Sequence, residues 1–236
     1  MHSADDVIAA VAAVADPERA ASSASFFKTG PGDYGEGDVF VGVRVPQLRR
    51  MAKQFKGIDS SAVRELLASK VHEHRHIALV LLRNEFERSS EPQTWVDLYL
   101  EAVRAGRVNN WDLVDCSADP ILGEWLYRSG DHTLLGELAA EGDLWRRRVG
   151  IVGTFAFIKH GDPDVILAVA PLVLDDRRDL IQKALGWMLR EMEKRIDSSL
   201  LTDFLTDNAA RMGRTALAYA IERMPPDQRE HFRLLR

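Results

Sequence analysis

The sequence predicts an all-α fold, an α-solenoid of HEAT-like helical pairs. Three observations carry this prediction. Apolar residues recur at helical spacing along nearly the whole chain, and period-two strand patterns are almost absent. Helix-starting pairs recur at short intervals, as at Asp16-Pro17, Asp59-Ser60, Glu91-Pro92, Asn109-Asn110 and Asp119-Pro120. Segments beginning His76-Ile77-Ala78-Leu79, Asp112-Leu113-Val114, Arg147-Arg148-Val149 and Lys183-Ala184-Leu185 recur at steps of about 36 residues, a spacing typical of helical repeats. Arg214-Thr215-Ala216-Leu217 comes early, as a divergent terminal repeat would. Stacked pairs offer a concave surface made by one helix of each pair. One repeat domain without an internal boundary is expected over 1–236.

The elements follow in order. An Ala-rich helix covers 4–15, with Val7, Ile8, Val11 and Val14 on its apolar side. Asp16 and Pro17 cap and open a second helix to about residue 28. Residues 29–43 (TGPGDYGEGDVFVGV) hold five glycines and predict a loop, or a short strand over 38–43 as half of a β-hairpin. Helices are then expected over 45–55, 59–69, 72–88 and 92–105. Asn110 opens a helix that ends or bends before Pro120, and Asp119-Pro120 opens the next to about 127. Further helices are expected over 131–140, 143–159, 162–174, 177–195, 198–210 and 212–224.

Composition is that of an ordinary globular protein, 46% hydrophobic and 28% charged with a net charge of −5. That excludes a uniformly basic protein but not a local basic patch. A lone cysteine, Cys116, rules out a disulfide framework and suggests a reducing cytoplasm. No apolar run is long enough for a bilayer, and no secretory signal is recognised. A monomer in the cytoplasm, associated with the nucleoid and not with membrane, is expected.

Asn109-Asn110-Trp111-Asp112-Leu113-Val114-Asp115 organises the functional reading. Trp111 and Asp115 lie four apart, so an aromatic surface and a carboxylate point the same way. A core helix would have to neutralise the acid, whereas a site that handles a cation can use both. The repeat-equivalent helices are rich in Arg and Lys: Arg146, Arg147 and Arg148, then Arg177, Arg178, Lys183, Arg190, Lys194 and Arg195, then Arg211 and Arg214. Singly, each reads as a solvated face. As a set they suggest a groove for a polyanion, with DNA the natural candidate. Trp187 follows Gly186 inside a helix, which points to a close backbone approach at a binding surface or to a core helix contact.

Three motifs are discounted. His72-Glu73-His74-Arg75-His76 matches HExxH, but no third ligand is evident, so a solvated helix start is expected and no metal or cofactor is assigned. Gly30-Pro31-Gly32-Asp33-Tyr34-Gly35 matches GxGxxG without the preceding strand of a dinucleotide site. It reads as a flexible loop able to carry Tyr34 and Phe40 to a partner. Cys116 has no evident base and is expected to pack.

Trp111-Asp112-Leu113-Val114-Asp115, Trp145-Arg146-Arg147-Arg148, and Ile181-Gln182-Lys183-Ala184-Leu185-Gly186-Trp187 with Leu189-Arg190-Glu191 resemble the AlkD-type HEAT-like repeat DNA glycosylases. The motifs keep that family's order and spacing over most of the chain. The resemblance implies excision of N3- and N7-alkylated purines from double-stranded DNA without base flipping. It implies a catalytic cleft from Trp111, Asp115 and Trp187, with Arg148 supporting the DNA backbone. Arg147, Lys183, Arg190, Arg214 and Tyr34 are further candidates for DNA contact. The family's archetype lacks the Gly-rich stretch and has aromatics in place of Asp179 and Leu180. Related HEAT-like proteins with an N-terminal β-hairpin insert lack glycosylase activity and bind branched DNA. Either the chain is a glycosylase with an added DNA-contacting loop, or it binds branched or bent DNA through residues 29–43.

Overall fold

The structure is a computed structural model that describes residues 2–235. Its regular elements are helical, as the apolar spacing predicts, and no β-strand occurs among the described residues. The chain divides into two compact units, Met1–Ser117 and Ala118–Arg236. No helix among the described residues is long and apolar enough to cross a membrane.

The first unit holds α1 (Ala4–Ala12), α2 (Pro17–Phe26), α3 (Val45–Ala52) with a 3₁₀ turn Lys53–Phe55, α4 (Ser60–Ala68), α5 (His72–Arg88), α6 (Gln93–Arg104) and α7 (Trp111–Asp115). Asp16 caps α2 through the Arg19 amide at 3.0 Å, and Pro17 takes the first helical position. Helix α5 is the centre of this unit, packing on α3, α4, α6 and α7. Ile77, Leu81, Leu82 and Phe86 bury its apolar side. Its first turn is buried as well, so residues 72–76 are not the solvated helix start expected from the sequence.

The second unit opens with a π-helical turn, Ala118–Gly123, and continues through α8 (Glu124–Ser129), α9 (Thr133–Ala140), α10 (Leu144–Gly153), α11 (Phe155–Lys159), α12 (Asp164–Val173), α13 (Asp179–Arg195), α14 (Ser198–Asn208), α15 (Arg214–Ala220) and α16 (Pro226–Leu234). Helix α10 packs on α9 and α13, and α13 packs on α14 and α15. A Cβ on Gly186 would lie 2.4 Å from the Ala216 carbonyl oxygen and 2.5 Å from the Tyr219 Cβ. The helical glycine therefore has a packing reason: it lets α13 and α15 approach. Gly186→Ala is expected to destabilise by about 1–3 kcal/mol through overpacking, measurable as a lower midpoint of urea unfolding.

The repeat reappears as polar bonds between neighbouring pairs. His76 to Asp112, Glu124 to His160, Gly142 to Arg178 and Asp175 to Arg211 are each joined across 36 residues, and Arg64 to Glu101 across 37. Three local expectations change. Asp119 and Pro120 do not cap and open a helix, because Pro120 lies inside the π turn. The Asp119 carboxylate binds the Lys159 ammonium at 2.9 Å instead. The helix expected over 143–159 breaks at Thr154, whose hydroxyl donates to the Ile151 carbonyl at 2.7 Å, a local bond that competes with the helical ladder. Helix α16, opened by Pro225-Pro226, lies beyond the last helix expected.

The stretch 29–43 is a loop and not a hairpin. A single parallel bridge, Val39 with Val71, is its pairing among the described residues. The loop is also not free to carry aromatics to a partner. Glu73 accepts the backbone N–H groups of Val41, Gly42 and Val43, the shortest at 2.7 Å. The Val41 carbonyl accepts the Asp16 amide at 2.9 Å. Gly42 has φ +83°, and a Cβ there would lie 2.1 Å from the Asp16 carbonyl oxygen, so only glycine fits.

Candidate functional site

Helix α7 starts because Asn110 is extended (φ −148°, ψ 155°) and its buried side chain accepts the Trp111 amide at 2.9 Å. Leu113 and Val114 bury one side of the five-residue helix. Trp111 and Asp115 are half-buried. The Trp111 ring stacks on Phe27 at 5.3 Å and meets the edge of Phe26 at 6.0 Å. Phe26 is 66% exposed, which makes Trp111 part of an aromatic surface open to solvent. Phe27 stacks in turn on Phe40 at 5.1 Å, and Phe40 on the His72 ring at 4.5 Å.

The two acids of α7 have different surroundings. The Asp112 carboxylate lies 2.8 Å from His72 Nε2 and 3.3 Å from His76 Nδ1. His72 Nδ1 lies 3.0 Å from Asp38. Arg75 donates to Asp38 at 2.6 Å, to the Asn109 side chain at 3.1 Å and to the Ser69 carbonyl at 2.9 Å. Burial by itself would raise the Asp112 pKa, but the hydrogen bonds and charges of His72 and His76 outweigh it and hold the group well below the usual carboxylate range. Burial would likewise lower His72. Its bonds to Asp112 and Asp38 prevail and move it up, so the imidazolium is favoured. Asp112 is thus committed to the two histidines, and Asp115, of the same intermediate burial, is the second acid of the motif.

Cys116 packs as expected. Burial pushes its thiol well above the normal range, with the Asp112 and Asp115 charges adding to the effect, which disfavours the reactive thiolate. Tyr34 is half-buried, with the Lys28 ammonium 5.9 Å from its ring centroid.

In the second unit, Trp187 is half-buried on α13 and faces the Phe155 ring at 5.9 Å. The Arg195 guanidinium lies 5.0 Å and the Lys159 ammonium 5.7 Å from that same ring. The cationic candidates are largely engaged within the protein. Arg147 binds Asp176 at 2.6 Å and the Glu141 carbonyl at 2.8 Å. Arg148 is buried and donates to the Leu180 carbonyl. Lys183 pairs with Asp179 at 2.7 Å, and Arg190 pairs with Glu222. Arg214 is exposed and donates to the Arg233 carbonyl at 3.3 Å.

Asp176 anchors part of this arrangement. Its side chain is 4% exposed and takes hydrogen bonds from Arg178 and Arg147. Burial opposes ionisation there, but the bonds from Arg178, then Arg147, hold the carboxyl at about 2. The folded value lies below the unfolded one, so the stabilisation is present above about pH 4 and lost as pH falls through about 2. With Arg178 partly exposed, its size is on the order of 1–2 kcal/mol. Urea unfolding of wild type and Asp176→Asn should therefore converge between pH 4 and pH 2.

Sequence reasoning missed Phe26 and Phe27 beside Trp111, although the adjacent pair just ahead of the Gly-rich stretch was a signal. It also missed the pairing of Asp112 with His72 and His76. The 36-residue step from His76 to Asp112 carried that information.

Among curated proteins, none matches the chain significantly. A solved structure, that of a predicted DNA alkylation repair enzyme from Enterococcus faecalis, superposes with a TM-score of 0.70 at 19% identity, covering 90% of this chain and 97% of that one. At that identity the likeness shows a shared fold. The family described as DNA alkylation repair enzyme matches residues 7–224. With nearly the whole chain matched, this protein belongs to the DNA alkylation repair enzyme family.

Proposed function

We propose that the protein is a monofunctional DNA glycosylase of the AlkD type, which hydrolyses the N-glycosidic bond of cationic N3- and N7-alkylpurines. The observation that carries this reading is that a carboxylate, Asp115, and an aromatic ring, Trp111, both half-buried, share the short helix α7, with the Trp111 ring against the exposed Phe26.

An alkylated purine is already positive, so it departs as a neutral base when the glycosidic electron pair goes to its ring nitrogen. No general acid is required, and the base need not be turned into a pocket of donors. What develops is positive charge on the sugar, as in other glycoside cleavages. Asp115 stabilises that oxocarbenium-like centre and orients the water that attacks C1′, and the water's proton passes to the carboxylate or to solvent. Trp111 and Trp187 offer π faces that favour a cation. Arg148 supports the DNA backbone, and Arg147, Lys183, Arg190, Arg214 and Tyr34 are its companions in DNA contact. Arg147 also bonds within the protein, to Asp176 and to the Glu141 and Ala140 carbonyls.

Binding of branched DNA through residues 29–43 is less well supported. The loop exposes Asp33 and Glu36 and holds no Lys or Arg, a charge that repels phosphate. The deciding experiment incubates purified protein with methylated duplex DNA and measures free 7-methylguanine and 3-methyladenine. Release above the protein-free rate supports the proposal, and its absence overturns it.

A further inference from the structure

We propose that His72, His76 and Asp112 form a binding site for a divalent transition-metal cation of the zinc class. Their ligand atoms lie within 4.8 Å of one another, and both histidines are buried. The donor set is two imidazoles and one carboxylate, which suits zinc. The histidines stand four apart on α5, on one helical face, and the carboxylate comes from α7.

The distances are close to what a metal needs. Ligands at about 2.0–2.2 Å around a tetrahedral zinc lie roughly 3.3–3.5 Å from each other. Asp112 Oδ2 is 3.3 Å from His76 Nδ1 and 2.8 Å from His72 Nε2. A withdrawal of about half an ångström along the second vector admits the ion.

A further observation points to a ligand. His72 Nδ1 faces Asp38 at 3.0 Å, and Asp38 is itself held by Arg75 and Asn109. A carboxylate on the far nitrogen is the usual support of a metal-binding imidazole, because it fixes the ring and leaves the other nitrogen to coordinate. His76 presents Nδ1 to the same Asp112 oxygen, so both histidines aim one ring nitrogen at one carboxylate atom.

The site is not that of a zinc hydrolase, although the motif reads HExxH. The Glu73 carboxylate is occupied by the backbone N–H groups of residues 41–43 and is not placed to activate a metal-bound water. The cation acts structurally. It ties α5 to α7, and through Asp38 to the 29–43 loop. Water completes the coordination. The inference stands independently of glycosylase activity.

The test uses full-length protein stripped of metal with a chelator and titrated with cobalt(II), then with zinc as competitor. The expected result is saturable uptake of one equivalent with visible ligand-field bands that zinc abolishes, at a Kd on the order of micromolar or tighter. His76→Gln, which keeps a polar side chain at the site, should weaken binding at least tenfold. Asp38→Asn should weaken it about 10- to 100-fold through the outer contact. Circular dichroism confirms folding of each variant. No saturable binding by wild type at about 100 μM metal overturns the proposal. Full affinity in a folded His76→Gln also overturns it and assigns the cluster to hydrogen bonding alone.

Discussion

Asp115→Asn is expected to lower release of 7-methylguanine by about 100- to 1,000-fold, with DNA affinity nearly unchanged. The carboxylate is asked to stabilise positive charge that exists fully only in the transition state, so its loss should fall on the chemical step rather than on binding. Asparagine keeps the shape of the side chain on α7 and removes the charge. Single-turnover release and fluorescence-anisotropy binding, measured on the same preparation, separate the two effects. Parallel loss of both would instead assign Asp115 a structural role. Asp112→Asn makes a sharp contrast. It strips the charge that His72 and His76 share, so its main effect should be on folding.

The largest stability effect is expected at Glu73. Its carboxylate accepts the amides of Val41, Gly42 and Val43, and Gly42 and Val43 are themselves buried. Glu73→Ala leaves these donors without an acceptor in a space that admits little water. The cost should be roughly 3–5 kcal/mol, a large fraction of a typical folding free energy. For a chain of this length that corresponds to a fall in Tm of about 10 °C or more. Calorimetry checks it. Glu73→Gln keeps one acceptor oxygen and should lie between the two. A shift of only one or two degrees in Glu73→Ala would mean the loop is held by other contacts.

Glu73 also marks where legibility in the sequence ended. The helical architecture was readable because apolar spacing and caps such as Asp16-Pro17 are local properties, and local properties survive into the fold. The 36-residue period was readable for the same reason. What was not readable was long-range satisfaction of polar groups. Residues 72–76 carry five polar side chains in a row and read as a wet surface. They are buried because Asp38, Asp112 and the loop amides neutralise and bond them, and those partners lie 30 to 40 residues away. The Gly-rich stretch read as flexible because composition reports intrinsic freedom, not tertiary anchoring. Pro120 read as a helix start because the competing Lys159–Asp119 pair is invisible to local rules. Among the candidate residues, Trp111, Asp115 and Trp187 stood out by residue type. Phe26 and Phe27 did not, because their proximity to Trp111 is a product of folding.

The internal pairing of the basic side chains has a consequence for how DNA binding should respond to salt. Arg147, Lys183, Arg190 and Arg211 each already face a carboxylate. A phosphate that engages one of them takes the place of that carboxylate, which must then gather cations from solution. Ion release from the DNA is partly cancelled by ion uptake on the protein. The logarithm of the binding constant should therefore fall with the logarithm of salt concentration less steeply than about 0.9 per phosphate contacted. Neutralising the partners, as in Glu222→Gln with Asp179→Asn, should steepen the slope.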